Sequence, residues 1–161
     1  MIIHDATIDD IQILATHYRK MFEEIYEKNG LKIEKDRAKE LEAAYMDKIV
    51  KQIPEGVCKA WVVKEDDQII ASGAITFASL VPVPSDMNHN IAYLHGMYTE
   101  KNHRQKKCAK KIVDRAIEYC QDKGINRVLL NASDAGKPIY ERIGFVRSPE
   151  AMRLFINKKA N

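Results

Sequence analysis

His103-Arg104-Gln105-Lys106-Lys107-Cys108-Ala109-Lys110-Lys111 is a basic turn that runs directly into an amphipathic helix. Ala109, Ile112, Val113, Ala116, Ile117 and Cys120 recur at helical spacing and form an apolar stripe, while Lys110, Lys111, Asp114, Arg115 and Glu118 fill the other face. This spacing predicts a helix over about 107–123. Immediately upstream, Ile91-Ala92-Tyr93-Leu94-His95-Gly96-Met97-Tyr98-Thr99 reads as a buried strand. Strand, basic turn and helix, in that order, set the unpaired N–H groups of a first helical turn and the positive end of its dipole among cations. Anionic oxygens such as those of a phosphate are stabilised in such a place. A solvated basic surface has the same charge pattern, so it is the flanking segments that separate the two readings.

Residues 2–6 read as a short strand closed by Thr7, which caps a helix with Asp9 and Asp10 in its first turn. Ile8, Ile11, Leu14, Ala15, Tyr18, Phe22 and Ile25 make its apolar face, and Asn29-Gly30 stops it. A second helix over about 34–52 turns Leu41, Tyr45 and Ile49 inward and ends before Pro54-Glu55-Gly56. Residues 57–64 and 68–78 are β-rich and flank the acidic turn Glu65-Asp66-Asp67, a hairpin pattern. The loop 79–90, with Pro82 and Pro84, is long, and long loops are often functional or mobile. Beyond the basic helix come a strand at 127–132, a short helix at about 135–142, and two closing strands near 144–147 and 152–157.

A chain of 161 residues with 45% hydrophobic content is expected to form one domain spanning 1–161. No apolar run approaches membrane-spanning length, and the first residues lack the basic and apolar regions of a secretory signal, so a cytoplasmic protein is expected. The net charge of +3 gives little support to nucleic-acid binding. Lys101, Arg104, Lys106, Lys107, Lys110 and Lys111 nevertheless crowd one segment, as a polyanionic small ligand requires. Cys58, Cys108 and Cys120 lack Cys-x-x-Cys spacing, and His4, His17, His89, His95 and His103 form no metal motif, so neither disulfides nor a metal are expected.

Arg104-Gln105-Lys106-Lys107-Cys108-Ala109 is similar to the Arg/Gln-x-x-Gly-x-Gly/Ala loop of the GNAT-type N-acetyltransferases. Arg104 and Ala109 fit that pattern; Lys107 stands where a glycine is usual, and Lys101-Asn102-His103-Arg104 replaces the common Pro-Glu-Tyr-Arg. Ile139-Tyr140-Glu141-Arg142-Ile143-Gly144-Phe145 closely resembles the family's second signature, Leu-Tyr-Glu-Lys-x-Gly-Phe, and Gly96-Met97-Tyr98-Thr99 resembles the end of its fourth strand. The resemblance is specific over 91–155 and rests on element order before that. It implies an α+β fold: a twisted mixed sheet of about six to seven strands, helices on both faces and splayed central strands. It implies acetyl-CoA as cosubstrate and a primary amine of a small molecule, peptide or protein as acceptor.

By the same resemblance, Arg104, Gln105, Lys106, Lys107, Cys108 and Ala109 hold the pyrophosphate, and the backbone of Met97, Tyr98 and Thr99 faces the thioester and pantetheine. Asn131 and Ser133 hydrogen-bond the pantetheine or the tyrosine, and Tyr140 protonates the departing thiolate. Each has a plainer reading: Met97 and Tyr140 as core, and Ser133 as a helix cap. His95, Glu100 and an ordered water chain stay open as general base. Glu23, Glu24 and Glu27 form an acidic group able to hold a cationic amine, or merely a solvated helix face. If Lys107 must adopt a backbone conformation suited to glycine, cofactor binding is weakened. A non-catalytic acyl-CoA-binding regulatory module is the alternative. A homodimer is common in the family, but no interface is legible.

Overall fold

In a computed structural model, which describes residues 1–157, two compact units are distinguished, Met1–Asn131 and Ala132–Asn161. The first unit runs β1 (Ile2–Asp5), a 3-10 turn (Ile8–Asp10), α1 (Ile11–Lys28), α2 (Lys35–Gln52), β2 (Cys58–Glu65), β3 (Gln68–Ser79), β4 (Asn90–Thr99), α3 (Cys108–Asp122) and β5 (Val128–Leu130). The strands form one sheet in the order β1-β2-β3-β4-β5. The first three pairings are antiparallel and β4–β5 is parallel. A parallel neighbour needs a crossover connection, and α3 supplies it.

Local chemistry accounts for the junctions. Thr7 N–H donates to the Asp10 carboxylate at 2.9 Å, the reciprocal half of a capping box, at the start of the first helical segment. Asp66 and Asp67 both adopt left-handed backbone, at φ 48° and 61°, and close the two-residue turn that pairs Glu65 with Gln68. The 79–90 loop is tied down: Arg127 donates to the carbonyl oxygen of Val81 at 2.8 Å and lies 3.4 Å from the Asp86 carboxylate.

Alternation along the strands separates two apolar faces. Cys58, Ala60 and Val62 of β2 join Ile11, Leu14, Ala15, Tyr45 and Ile49 under α1 and α2. Trp61, 1% exposed, points the other way and meets Tyr119 of α3 edge-on at 5.9 Å. Ser72 of β3 likewise contacts His17 of α1, while Gly73 beside it backs onto Ile112 of α3. Helices therefore cover both faces, as expected. On α2, Ala38 is buried with Tyr45 and Ile49, and Leu41 is only half-buried. All three cysteines are buried and unpaired.

The second unit holds α4 (Lys137–Ile143), opened by Pro138 in its first turn and ended by Gly144 at φ 117°. The expected closing strands near 144–147 and 152–157 do not form, so the described sheet has five strands rather than six to seven. Their alternating apolar residues carry strand propensity, but a strand exists only where a ladder partner takes up its N–H and C=O groups. These segments have no such partner among the described residues, and Val146, Met152, Leu154, Phe155 and Ile156 are exposed.

A Cβ at Gly73 would collide with Met97 Sδ and lie 2.8 Å from Ile112 Cγ2. Gly73→Ala is expected to lower stability by about 1–3 kcal/mol through overpacking, measured as the shift of the urea midpoint. An unchanged midpoint would show that the Met97 side chain yields without cost.

Candidate functional site

β4 is paired on both sides only at its start. Ala92, Tyr93 and Leu94 face Val128, Leu129 and Leu130 of β5, and the parallel ladder ends there, five residues before β4 does. On its other side β4 continues along β3 to Thr99, interrupted by a bulge: Ser72 faces Tyr98 and Ala74 faces His95, so Gly73 opposes both Gly96 and Met97. Beyond Leu94, β4 thus offers an edge with no strand partner on the β5 side among the described residues.

Past β4 the chain makes a 3-10 turn (Lys101–His103) and enters the basic loop. Arg104 is extended at φ −67°, ψ 160°, whereas Gln105 and Lys107 are left-handed at φ 66° and 62° with Lys106 between them outside that region. Alternating backbone hands bring successive N–H groups to one concave side, a shape suited to an anion. α3 begins at Cys108 with no side chain capping it. Lys107 therefore does hold the conformation that glycine adopts without cost, as its place in the loop implied.

The cations of this segment are not equally available. Arg104 donates from Nε to Thr99 O at 3.0 Å and from Nη2 to Glu24 at 2.6 Å, joining α1 to the end of β4. Lys106 lies 3.0 Å from Glu65, and Lys110 lies 2.6 Å from Asp114. The Lys106 ammonium, with His103 beside it, holds the Glu65 carboxyl below its usual range. Lys107 and Lys111 have no ion-pair partner among the described residues. Cys108 is buried with its thiol directed at the His103 carbonyl oxygen 4.0 Å away, so its side chain is not exposed on the loop surface. The sequence names Glu24 in an acidic helix group and Glu65 in an acidic turn but carries no sign of their pairing with these cations, which lie far from them along the chain.

Tyr98 is buried, with its hydroxyl donating to Glu24 at 3.0 Å and Lys20 and Arg104 over its ring. An open cleft of about 930 Å³ lies here, lined in part by Lys20, Glu24, Glu27, Tyr98, Glu100 and Lys101. Of the acidic group, Glu23 is paired with Arg19 and Glu24 with Arg104, while Glu27 has no ion-pair partner among the described residues. Burial pushes Glu100 up, but the Lys20 ammonium at 2.6 Å and nearby His17 outweigh it and hold the carboxyl low. His17 is buried between Ser72 Oγ, 2.8 Å away, and Glu100, 3.3 Å away. The Ser–His–Glu order looks like an activated nucleophile, yet Ser72 and His17 are both 0% exposed, which leaves no path for a substrate.

A second polar group surrounds His95, where Tyr45, Thr76 and Tyr93 converge. Burial, with Lys48 adding to it, pushes His95 down to about 3, so the ring is neutral at physiological pH. Asn131 donates to the Tyr93 hydroxyl at 3.0 Å, bridging the end of β5 to β4. In the second unit, the Ser133 hydroxyl accepts the Gly136 N–H at 3.2 Å, which is capping behaviour. Tyr140 packs edge-on against Phe145 at 5.7 Å, and burial pushes its phenol up to about 12.

A family model described as an acetyltransferase (GNAT) domain matches residues 23–155. Among solved structures, a predicted acetyltransferase with acetyl-CoA from Clostridium acetobutylicum is 25% identical, with 96% of this chain and 95% of that chain covered at a TM-score of 0.80. A GCN5-related N-acetyltransferase from Ralstonia eutropha JMP134 has the same fold at 20% identity, with 97% and 99% covered and a TM-score of 0.86. So does glucosamine-6-phosphate N-acetyltransferase from Arabidopsis thaliana, at 17% identity, 97% and 98% coverage and a TM-score of 0.61. No curated protein gives a significant match.

Lys107→Gly is expected to raise stability by about 1 kcal/mol, because it removes the left-handed penalty of a side chain. Thermal denaturation measures this, and a lower midpoint would mean that the lysine side chain contributes more than its backbone costs. A second outcome concerns pH. His17, pushed down to about 4 by burial against the opposing pull of Glu100, and His95, at about 3, both bind protons less readily than an unfolded histidine. Their stabilising contribution is complete above about pH 6.5 and is lost as pH falls from there through those folded values, about 2 kcal/mol each by pH 5. Urea unfolding at pH 7 and pH 5 reads the difference; equal stabilities would contradict it.

Proposed function

Because the chain belongs to the GNAT acetyltransferase family, we propose that it is an acetyl-CoA-dependent N-acetyltransferase acting on a primary amine of a small molecule, peptide or protein. The observation that carries this reading is the backbone of the basic loop, with left-handed Gln105 and Lys107 leading into uncapped α3. It fits a pyrophosphate, with the N–H groups from Gln105 to Ala109 as donors and Lys107 and Lys111 as cations without ion-pair partners. Arg104 and Lys106 belong to the same site, although each must share its charge with Glu24 or Glu65. The stretch of β4 beyond Leu94, unpaired on the β5 side among the described residues, supports assigning the backbone of Met97, Tyr98 and Thr99 to the thioester and pantetheine; Asn131 and Ser133 are assigned as further polar partners on the family resemblance alone.

Bound acetyl-CoA supplies an activated thioester carbonyl. The chain's part is to hold it, to offer N–H groups where negative charge develops on the carbonyl oxygen, and to manage two protons. Tyr140 is the acid for the departing thiolate. Its raised phenol is fully protonated at neutral pH, so it enters the reaction able to donate. Glu100, His95 and an ordered water chain are the candidates for taking the amine's proton; Glu100 lines the open cleft as a carboxylate whose basicity Lys20 lowers, while burial lowers that of His95. In this reading the enzyme is a single domain working in the cytoplasm, and a homodimer, common in the family, is a candidate assembly.

The alternative, a non-catalytic acyl-CoA-binding module, rests on Lys107 in place of glycine. The loop keeps its left-handed turn with that lysine present, which serves either reading; retained Tyr140 favours the enzyme.

Calorimetric titration with acetyl-CoA is the test of binding. A Lys107→Glu, Lys111→Glu double variant should weaken affinity tenfold or more, about 1.4 kcal/mol, and equal affinity would remove the loop from the site. In turnover with spermidine, an aminoglycoside and a peptide amine as acceptors, Tyr140→Phe should lower kcat about 100-fold with acetyl-CoA affinity unchanged. Full activity in that variant would end the acid role of Tyr140.

A further inference from the structure

A continuous chain of polar groups runs from half-buried Lys48 on α2 to the underside of the β4 bulge. Lys48 Nζ donates to Thr76 Oγ1 at 2.7 Å, Thr76 Oγ1 lies 2.7 Å from His95 Nε2, and His95 Nδ1 lies 3.0 Å from the Tyr45 hydroxyl. Each of these groups has a partner on both sides except the Tyr45 hydroxyl, which ends at Gly96. A Cβ on Gly96 would sit 2.6 Å from that hydroxyl oxygen, so the hydroxyl occupies the space that the missing side chain leaves. Gly96 itself is left-handed at φ 64° and is one of the two residues opposed by Gly73.

The Tyr45 ring is fixed independently. It stacks on Tyr18 of α1 with centroids 3.8 Å apart and planes 4° from parallel, and it meets His95 edge-on at 5.7 Å. Tyr45 is 6% exposed, in an interior where a hydrogen bond is strong and an orphaned polar group is costly. A neutral imidazole has one donor and one acceptor, and both are used here, so the ring cannot rotate without breaking two bonds. α2 and β3 thus grip the one place where β4 departs from regular pairing.

We propose that Tyr45, His95 and Thr76 are positioning residues that lock the Gly96–Met97 bulge, and through it the β4 backbone beyond, into a single geometry for acyl transfer. The proposal rests on the acetyltransferase reading for its consequence in turnover, but the lock itself is a property of the free protein. None of the three touches the reacting atoms. Their contribution is to keep the N–H groups beyond the bulge in register, where a displacement of about 1 Å is enough to cost a factor of about 100 in rate.

Tyr45→Phe removes the hydroxyl and keeps the stacked ring. Its ¹⁵N amide spectrum is expected to show shifted or doubled Gly96 and Met97 signals and faster hydrogen exchange at Met97 and Tyr98, with distant strands unchanged. Thr76→Val should reproduce the pattern, and Thr76→Ser, which keeps the hydroxyl, should return the signals to their original positions. In turnover with spermidine, Tyr45→Phe should lower kcat about 10- to 100-fold while acetyl-CoA affinity by calorimetry stays within about twofold. Gly96 and Met97 signals unaltered in both Tyr45→Phe and Thr76→Val would overturn the lock, whatever the kinetics show. Loss of acetyl-CoA affinity equal to the loss in kcat would overturn its restriction to the bulge. If the unmodified protein turns over no amine and binds no acetyl-CoA, the acetyltransferase reading fails, and the amide signals still decide the lock.

Discussion

β4 has to satisfy two ladders along its first residues and only one along the rest, and the arrangement of the first unit follows from that imbalance. Its parallel contact with β5 lasts three residues. From Gly96 onward β3 is its one strand partner among the described residues, and β3 holds it through a bulge. A strand interrupted in this way is under-supported by backbone bonding alone, so side chains supply the rest. Met97 fills the gap left by Gly73 on the α3 face, and the Tyr45 hydroxyl fills the gap left by Gly96 on the α2 face. Two glycines on neighbouring strands thus let the opposing helical layers reach into the sheet at the same point.

Electrostatics follow a similar economy. The chain places six cations between 101 and 111, but four of them are engaged: Lys101 and Arg104 with Glu24, Lys106 with Glu65 and Lys110 with Asp114. The pairs are solvent-accessible and individually weak. Their effect is geometric: Arg104 connects α1, the last residue of β4 and the mouth of the loop, so that the helix lining the open cleft and the turn before α3 share one side chain. In the proposed site, affinity for an anion accordingly rests on backbone N–H groups and on Lys107 and Lys111 more than on the full count of positive charges.

Much of this was legible in the sequence because it is local. The β4, turn and α3 succession came from apolar periodicity, and the hairpin at Asp66 and Asp67 came from two turn-forming residues between β-rich runs. The resemblance of Tyr140 to Phe145 and of the basic loop to family signatures carried the family assignment. What stayed hidden depends on distance in the chain or on backbone hand. Nothing near Arg104 announces Glu24, and no pattern of spacing links Thr76 to His95 and Tyr45. The left-handed turn at Lys107 is written only in the position of a missing glycine. The closing strands were over-read for the same reason: alternation in Met152, Leu154 and Ile156 states a preference, whereas pairing requires a partner.

The three cysteines have a use that their packing creates. Each thiol is closed off from solvent, Cys58 on the face beneath α1 and α2, Cys108 at the first residue of α3, and Cys120 near its end. A buried thiol reacts with an alkylating reagent only when its surroundings open, so its labelling rate is a clock for local unfolding. The native chain thereby carries three internal timers, and mass spectrometry of labelled peptides can read them separately. Cys108 reports how often the start of α3 comes apart, Cys120 how often its other end frays, and Cys58 how often the α1 and α2 layer lifts from the sheet.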